Sequence, residues 1–270
     1  MTYFFESGSI IVFLLGLAVG SFLNVIVDRT EDGEDPIKGR SHCDNCKKKL
    51  SALDLVPLLS FLFLKGKCRY CRKKLSLYYP VIELTTAILF VISFFWIFGR
   101  FTLGSADIMQ TISLVILLII ISALVVIFFT DMKYGLIPFK AVLIGILAVI
   151  AWNMFFSTTD FTIINYLLSA FGSFVAFLLL FLVTRGKGIG FGDVVYVFLM
   201  GLLLGYPNII LGFYIAFISG ALISLILIGA KKKKLKGSTI PFGPFLVLGT
   251  IVCLFWGESL VGKILTYLLG

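Results

Sequence analysis

The chain has 270 residues, 60% of them hydrophobic and 14% charged, with a mean hydropathy of +1.09. That usage excludes an ordinary soluble globular domain and places the chain in lipid. The formal net charge of +9 reads as a topology signal and a basic surface against anionic headgroups, which leaves nucleic-acid binding a poor explanation for it.

Apolar runs of about 20 residues match the hydrocarbon thickness of a bilayer. They fall at 8–27, 80–98, 111–130, 137–156, 163–184 and 208–229. Shorter runs at 193–206 and 243–257 read as short, tilted or re-entrant spans, and 259–269 as an interfacial tail. The expectation is an all-α polytopic membrane protein with about eight transmembrane helices. Met1 to Ser9 holds no Lys or Arg, contains Glu6 and leads into no small-residue cleavage pattern, so residues 1–27 are expected to stay as the first span. Of 23 basic residues, twelve lie between Arg29 and Lys74, and five lie from Lys231 to Lys236. Lys133, Lys140, Arg185 and Lys187 follow other spans, so alternate loops hold 21 of the 23. Basic loops stay cytosolic, which predicts a plasma (inner) membrane protein with its N-terminus outside and the 28–79 loop, the 131–140 and 185–193 turns and the lysine cluster in the cytosol.

The insert from Asp28 to Tyr79 has 52 residues, too few to stabilise themselves on a hydrophobic core alone. Within it, Cys43-Asp44-Asn45-Cys46 followed by Lys47 to Ser51 recurs 25 residues later as Cys68-Arg69-Tyr70-Cys71 followed by Arg72 to Ser76. Two Cys-x-x-Cys pairs suit tetrahedral zinc, because each tight turn offers two thiolates and two turns close the coordination shell. The basic residues after each pair offset the negative charge of a tetrathiolate site. Four protein ligands leave no open position, so the expected metal is structural. Disulfides are the competing reading, and a cytosolic loop is reducing. His42, the single histidine, is either a solvated neighbour or a substitute ligand. Cys253 reads as a packing residue.

Ionisable residues in or beside spans are costly and each needs a reason. Asp131 follows the apolar run 119–130, where a carboxylate opposes the negative end of the helix dipole. Its plain reading is a loop carboxylate paired with Lys133 or Lys140. Asp193 opens the run 194–204 and could simply cap that helix. The predicted topology puts both at one membrane edge, where they could face each other. Two close carboxylates do not both ionise easily, so one stays protonated while the other acts as base toward a water. That is aspartic-protease chemistry, with the titration belonging to the pair. Gly188, Gly190 and Gly192 precede Asp193 and leave backbone open to a substrate strand, or serve as a hinge. Pro138 suits the first position of the next helix. Glu83, three residues after Pro80, suits the positive end of a helix dipole, with a substrate or cofactor role also open. Asn24, Asp28 and Arg29 are equally ambiguous.

At this point the chain resembles the type IV prepilin peptidase family. The resemblance runs through Gly20-Ser21-Phe22-Leu23-Asn24-Val25 with Arg29, Arg40-Ser41, the segment Asp54 to Ser60, Cys68 to Cys71, and Tyr79-Pro80-Val81-Ile82-Glu83-Leu84. In the C-terminal half, Asp131 with Ile137-Pro138 resembles the first catalytic aspartate motif, and Gly190-Phe191-Gly192-Asp193 the Gly-x-Gly-Asp motif carrying the second. The resemblance implies cytosolic-side removal of a short basic leader from prepilins or pseudopilins of type IV pilus, type II secretion or competence systems, between Gly and a hydrophobic residue. It also implies N-methylation of the new N-terminus with S-adenosylmethionine, an activity linked to the cysteine-bearing insert, which shorter preflagellin-processing relatives lack. Asp44, Phe139 and Val195 depart from the usual pattern, and none of them touches the two aspartates. Spacing alone does not place the methyl donor.

The implied architecture is a first span at 1–27, a zinc-binding cytosolic insert at 28–79 and a transmembrane peptidase core at 80–270. Asp131 and Asp193 are the expected catalytic pair, with Gly190, Gly192, Lys133 and Glu83 as substrate-site support and Cys43, Cys46, Cys68 and Cys71 as metal ligands. The expected partners are prepilin substrates and membrane lipid. The rival from another class is a non-enzymatic transporter or assembly scaffold with a zinc docking insert. A transporter would favour inverted repeats and mid-membrane carboxylates, neither of which the sequence offers. A thiol oxidoreductase using Cys-x-x-Cys is a second rival.

Overall fold

The computed structural model describes residues 2–32, 39, 41–43, 45–100, 108–156, 160–229 and 240–269. Arg40, Asp44 and the lysine cluster at 231–236 lie outside the described residues. Among those described, nine α-helices carry the chain: α1 (Thr2–Asp32), α2 (Leu59–Phe63), α3 (Tyr78–Arg100), α4 (Ile108–Tyr134), α5 (Phe139–Phe156), α6 (Asp160–Val183), α7 (Phe191–Leu204), α8 (Asn208–Gly229) and α9 (Gly243–Leu269). The β-pairing among them is confined to two isolated bridges, His42 with Lys49 and Lys67 with Lys74. Helices α4, α5 and α8 are apolar around most of their circumference, as a span in lipid must be and an ordinary surface helix is not.

Six helices, α1, α3, α4, α6, α8 and α9, are long and apolar enough to cross a membrane, and α5 and α7 are shorter apolar helices. Together they match the expected all-α membrane architecture, with two local differences. The run expected as a full span at 137–156 folds as a shorter apolar helix, Phe139–Phe155, because the chain stays non-helical through Pro138. The short run at 243–257 and the tail at 259–269 form one continuous helix, α9, whose stretch Gly243–Ile264 is long enough to span. Glu258 interrupts the hydropathy there, but glutamate is a good helix former and does not interrupt the backbone.

The chain divides into two compact units, Met1–Val126 and Ile127–Gly270. In the first, α1 packs along α3. Close approach depends on small residues: a Cβ at Gly16 would lie 2.5 Å from Ala87 Cα, and one at Gly20 2.7 Å from Glu83 Cα. Polar contacts fix the register at one end, where Asn24 Nδ2 donates to the Tyr79 carbonyl at 3.2 Å and Tyr79 OH donates to Asp28 Oδ2 at 3.1 Å.

In the second unit α7 is the hub, packed against α5, α6, α8 and α9. Val194, Tyr196, Val197, Leu199 and Met200 are fully buried on it. A Cβ at Gly201 would sit 2.6 Å from Ala170 Cα, so α6 and α7 meet backbone to backbone. Ser173 Oγ donates to the Val197 carbonyl at 3.0 Å, and the hydroxyls of Tyr196 and Thr250 share a buried 2.7 Å hydrogen bond. The outer faces of α6 and α8 expose Leu168, Phe171, Leu179, Ile218 and Leu225, side chains at home against lipid tails. The short helix α7 is thus held on many sides, which fixes what its N-terminal turn presents.

Candidate active site and candidate metal centre

Asp193 lies in the first turn of α7, after the glycine-rich turn. Gly190 is extended (φ −74°, ψ 151°) and begins the helix. Its N–H donates to Asp193 Oδ2 at 3.1 Å, while the Asp193 N–H donates back to the Gly190 carbonyl at 3.1 Å. The capping role open in the sequence is therefore realised, from the third helical position reaching backwards. A surface cap would be exposed, whereas Asp193 is only 7% exposed.

Asp131 is carried on the last turn of α4 and is 5% exposed. Three separated segments of the second unit meet around it. A Cβ at Gly243, the first residue of α9, would lie 2.5 Å from Asp131 Oδ2 and 3.2 Å from Ile137 Cδ1. A Cβ at Gly192 would lie 2.9 Å from Ile137 Cβ. Ile137 is thus the spacer between the α7 and α9 N-termini: a side chain at Gly192 would meet it, and one at Gly243 would meet Asp131 first. Ile137 therefore brings the Asp131 carboxylate and the turn that carries Asp193 into one locality, with Gly243 packed directly against Asp131. Asp131 Oδ2 itself is buried with no donor in hydrogen-bonding geometry among the described residues. Burying a carboxylate oxygen without a donor is costly, and such an atom calls for a functional reason.

The other expected support residues fall in different places. Gly190 and Lys187 are exposed, so the loop leading to Asp193 presents open backbone. Lys133 is exposed and holds its ammonium 4.7 Å from the centre of the Tyr134 ring. Glu83 belongs to the first unit. There its Oε2 accepts the Leu58 N–H at 2.8 Å, and the Ser21 hydroxyl also bonds it. Sequence reasoning missed Gly243. The signal was present as Pro241-Phe242-Gly243-Pro244, a breaker cluster before an apolar run, but its contact with Asp131 spans more than a hundred residues of chain.

The cysteine repeat folds as two matching turns. In the first, Cys43 N–H donates to the Lys48 carbonyl at 3.0 Å and Lys47 N–H to the Cys43 carbonyl at 2.7 Å. In the second, Cys68 N–H donates to the Lys73 carbonyl at 2.9 Å and Arg72 N–H to the Cys68 carbonyl at 3.0 Å. Lys47 and Arg72, each directly after the second cysteine of its pair, both take the left-handed region at φ 53° and 59°. All four sulfurs lie within 4.8 Å of one another, with Cys43 and Cys71 3.9 Å apart. Zinc–sulfur bonds of about 2.3 Å in a tetrahedron require sulfurs about 3.8 Å apart, so the cluster can hold zinc with little adjustment. None of the four is in a disulfide. His42 instead pairs its backbone with Lys49.

The two turns are braced across the cluster: Asn45 Nδ2 faces Cys71 Sγ at 3.6 Å and accepts the Lys73 ammonium on its Oδ1 at 2.6 Å. The Lys73 backbone N–H and the Asn45 amide bring the Cys71 thiol down to about 6, which favours the ligating thiolate. Beside them Asp54 collects the Ser51 N–H and hydroxyl, the Arg69 guanidinium at 2.5 Å and the Tyr70 hydroxyl.

Comparison with known proteins follows the same division. A model described as the bacterial peptidase A24 N-terminal domain matches residues 14–98, and one for the type IV leader peptidase family matches residues 118–225. A protein of Bacillus subtilis (strain 168), named prepilin leader peptidase/N-methyltransferase, is 31% identical over 96% of this chain and 99% of its own. Proteins of the same name from Legionella pneumophila and Aeromonas hydrophila are 30% and 28% identical, over 96% and 95% of this chain and 94% and 93% of theirs. No solved structure matches the chain.

Proposed function

The chain belongs to the type IV leader peptidase family, and we propose that it is a membrane aspartyl endopeptidase that removes the short basic leader of type IV prepilins or pseudopilins. The observation that carries this reading is the convergence of Asp131 and the Asp193 turn on Ile137 through two glycines, with Asp131 Oδ2 buried and without a hydrogen bond among the described residues.

In this reading one carboxylate is ionised and takes a proton from water as its oxygen attacks the scissile carbonyl carbon. The other is protonated and donates to the carbonyl oxygen. Collapse of the tetrahedral species returns that proton and sends one to the leaving amine, so the pair ends as it began. The exposed backbone around Gly190 offers an extended leader a strand-like track. The segregation of basic residues into alternate loops supports a cytosolic active site in the plasma membrane, with the N-terminus outside. Cys43, Cys46, Cys68 and Cys71 bind structural zinc and fold the 28–79 insert between the first span at 1–27 and the peptidase core at 80–270. The freed N-terminus is then methylated with S-adenosylmethionine, as the relatives' printed names support.

The test is cleavage of a membrane-embedded prepilin by wild type, Asp131→Asn and Asp193→Asn at matched expression. Asparagine keeps the shape of aspartate but cannot cycle a proton. A loss of about 100- to 10,000-fold in either variant is expected from removing an acid–base group. Normal cleavage by both would end the paired-aspartate mechanism.

A further inference from the structure

The apolar side chains of the cysteine-bearing insert are not all used inside it. Neither the single helical turn at Ala52–Leu55 nor α2 (Leu59–Phe63) has a buried residue. Around α2 the side chains divide by helical spacing. Phe61 and Leu64 turn inward to line the insert's cavity, while Leu59, Leu62 and Phe63, at i, i+3 and i+4, face out. Phe63 is 82% exposed, and Leu62 and Leu53 are each 68% exposed. Apolar side chains grouped in this way on an otherwise polar domain mark an interaction surface.

The place of α2 in the first unit selects what covers it. The Leu58 N–H, directly before α2, donates to Glu83 Oε2 at 2.8 Å. Glu83 lies five residues after Tyr78, where α3 begins, and thus about 7.5 Å along the helix axis at 1.5 Å per residue. Helix α2 therefore sets out level with the second turn of a helix long and apolar enough to cross a membrane. The outward face of α3 begins at the same level, with Leu77, Val81 and Leu84, at i, i+4 and i+7, all exposed. The exposed face of α2 thus stands at the depth where the span enters lipid.

Charge agrees with that placement. Residues 41–77 carry nine Lys or Arg against Asp44 and Asp54, and Asp54 is paired with Arg69. Directly after Phe63 the chain reverses through Lys65 (φ 50°) and Gly66 (φ 66°), which leaves Lys65 and Lys67 exposed beside the apolar tip. An apolar tip followed by ammonium groups on flexible stems suits a surface with a hydrocarbon interior and an anionic rim. A second copy of the insert would bring the same positive charge and be repelled.

We propose that this part of the insert is a monotopic anchor on the membrane that α1 and α3 cross. Leu53, Leu59, Leu62 and Phe63 enter the boundary between headgroups and acyl chains, and Lys65 and Lys67 hold anionic headgroups above them. An apolar face of this kind sinks about 5–10 Å into that boundary. The insert then lies against the bilayer instead of projecting from it. The inference does not depend on the peptidase reading.

The test uses the zinc-loaded full chain in vesicles of phosphatidylcholine and phosphatidylglycerol in equal parts. It is photolabelled by phospholipids that carry a diazirine either beside the glycerol or at the end of an acyl chain. The shallow reagent is expected to label peptides covering residues 53–64, and the deep reagent only the spans. Replacing phosphatidylglycerol with phosphatidylcholine, or adding molar salt, is expected to cut shallow labelling of 53–64 several-fold and leave that of 80–98 unchanged. Combined Leu62→Ser and Phe63→Ser, at two exposed positions, is expected to bring label on 53–64 down to that on 43–49, with unchanged zinc content. A wild-type segment 53–64 that takes neither reagent while 80–98 is labelled overturns the anchor and gives this face to a protein partner. Equal shallow labelling in phosphatidylcholine alone overturns the role of anionic headgroups. Should the double variant lose zinc, the wild-type pattern decides.

Discussion

Two carboxylates of this chain, one in each compact unit, occupy opposite electrostatic situations. Asp54 in the insert meets four donors from Ser51, Arg69 and Tyr70, and its side chain is 4% exposed. As a whole residue Asp131 is more deeply buried, yet its Oδ2 makes no hydrogen bond among the described residues. The first arrangement uses both carboxylate oxygens to hold a small polar domain together. The second leaves one unmatched at the cost of stability, an arrangement that fits the catalytic role proposed for Asp131. The inventory of hydrogen-bond donors separates the two carboxylates most sharply.

The comparison can be broken most forcefully at the metal. Cys43→Ser removes one of four ligands from a region whose fold the metal is expected to supply, since structural zinc contributes about 10–16 kcal/mol of apparent binding energy in small zinc domains. Stoichiometric zinc should disappear from the purified protein and the 41–76 segment should become protease-sensitive, while metal analysis showing full zinc would refute the assignment. Asp54→Asn comes next. Hydrogen bonds to a charged group contribute about 1.5–3 kcal/mol, so amide exchange across 51–70 should quicken. Burial tends to raise the Asp54 carboxyl, but the Ser51 N–H and hydroxyl and the Arg69 guanidinium outweigh it and hold it below the ordinary carboxylate range. The stabilisation is therefore complete above that range and lost as pH falls through the lowered value. Protection of this segment that does not change with pH down to that region would contradict the account. The smallest expected effect on stability is Asp131→Asn, whose melting temperature should stay level or rise even as cleavage collapses. A pronounced fall would recast Asp131 as a structural residue.

Much of this was legible in the sequence, for physical reasons that differ by region. Apolar runs announce membrane helices because lipid demands them locally, and the cysteine repeat announces two like turns because the ligands of each pair are neighbours in the chain. The continuity of α9 was obscured because hydropathy falls at Glu258, whereas helix continuity depends on backbone and propensity. Gly243 against Asp131 and Leu58 against Glu83 were invisible because each joins distant segments, and nothing in either residue's neighbourhood reports its partner. The expectation for Asp193 was split between cap and site, and the structure displays the capping contact on a buried group, so the two descriptions were never exclusive.

The matching turns at Cys43 and Cys68 have a further consequence. Each contributes half of a ligand set, so neither can complete a tetrahedral site alone, and a bound ion would add its link to the Asn45 and Lys73 contacts that already brace them. That link would be a reversible crosslink closing a loop of some twenty residues between Cys46 and Cys68, with an occupancy that follows the free concentration of metal. A span embedded in lipid has no such dependence. A metal held by the four cysteines would make the fold of the insert responsive to metal supply in a way the lipid-embedded helices are not.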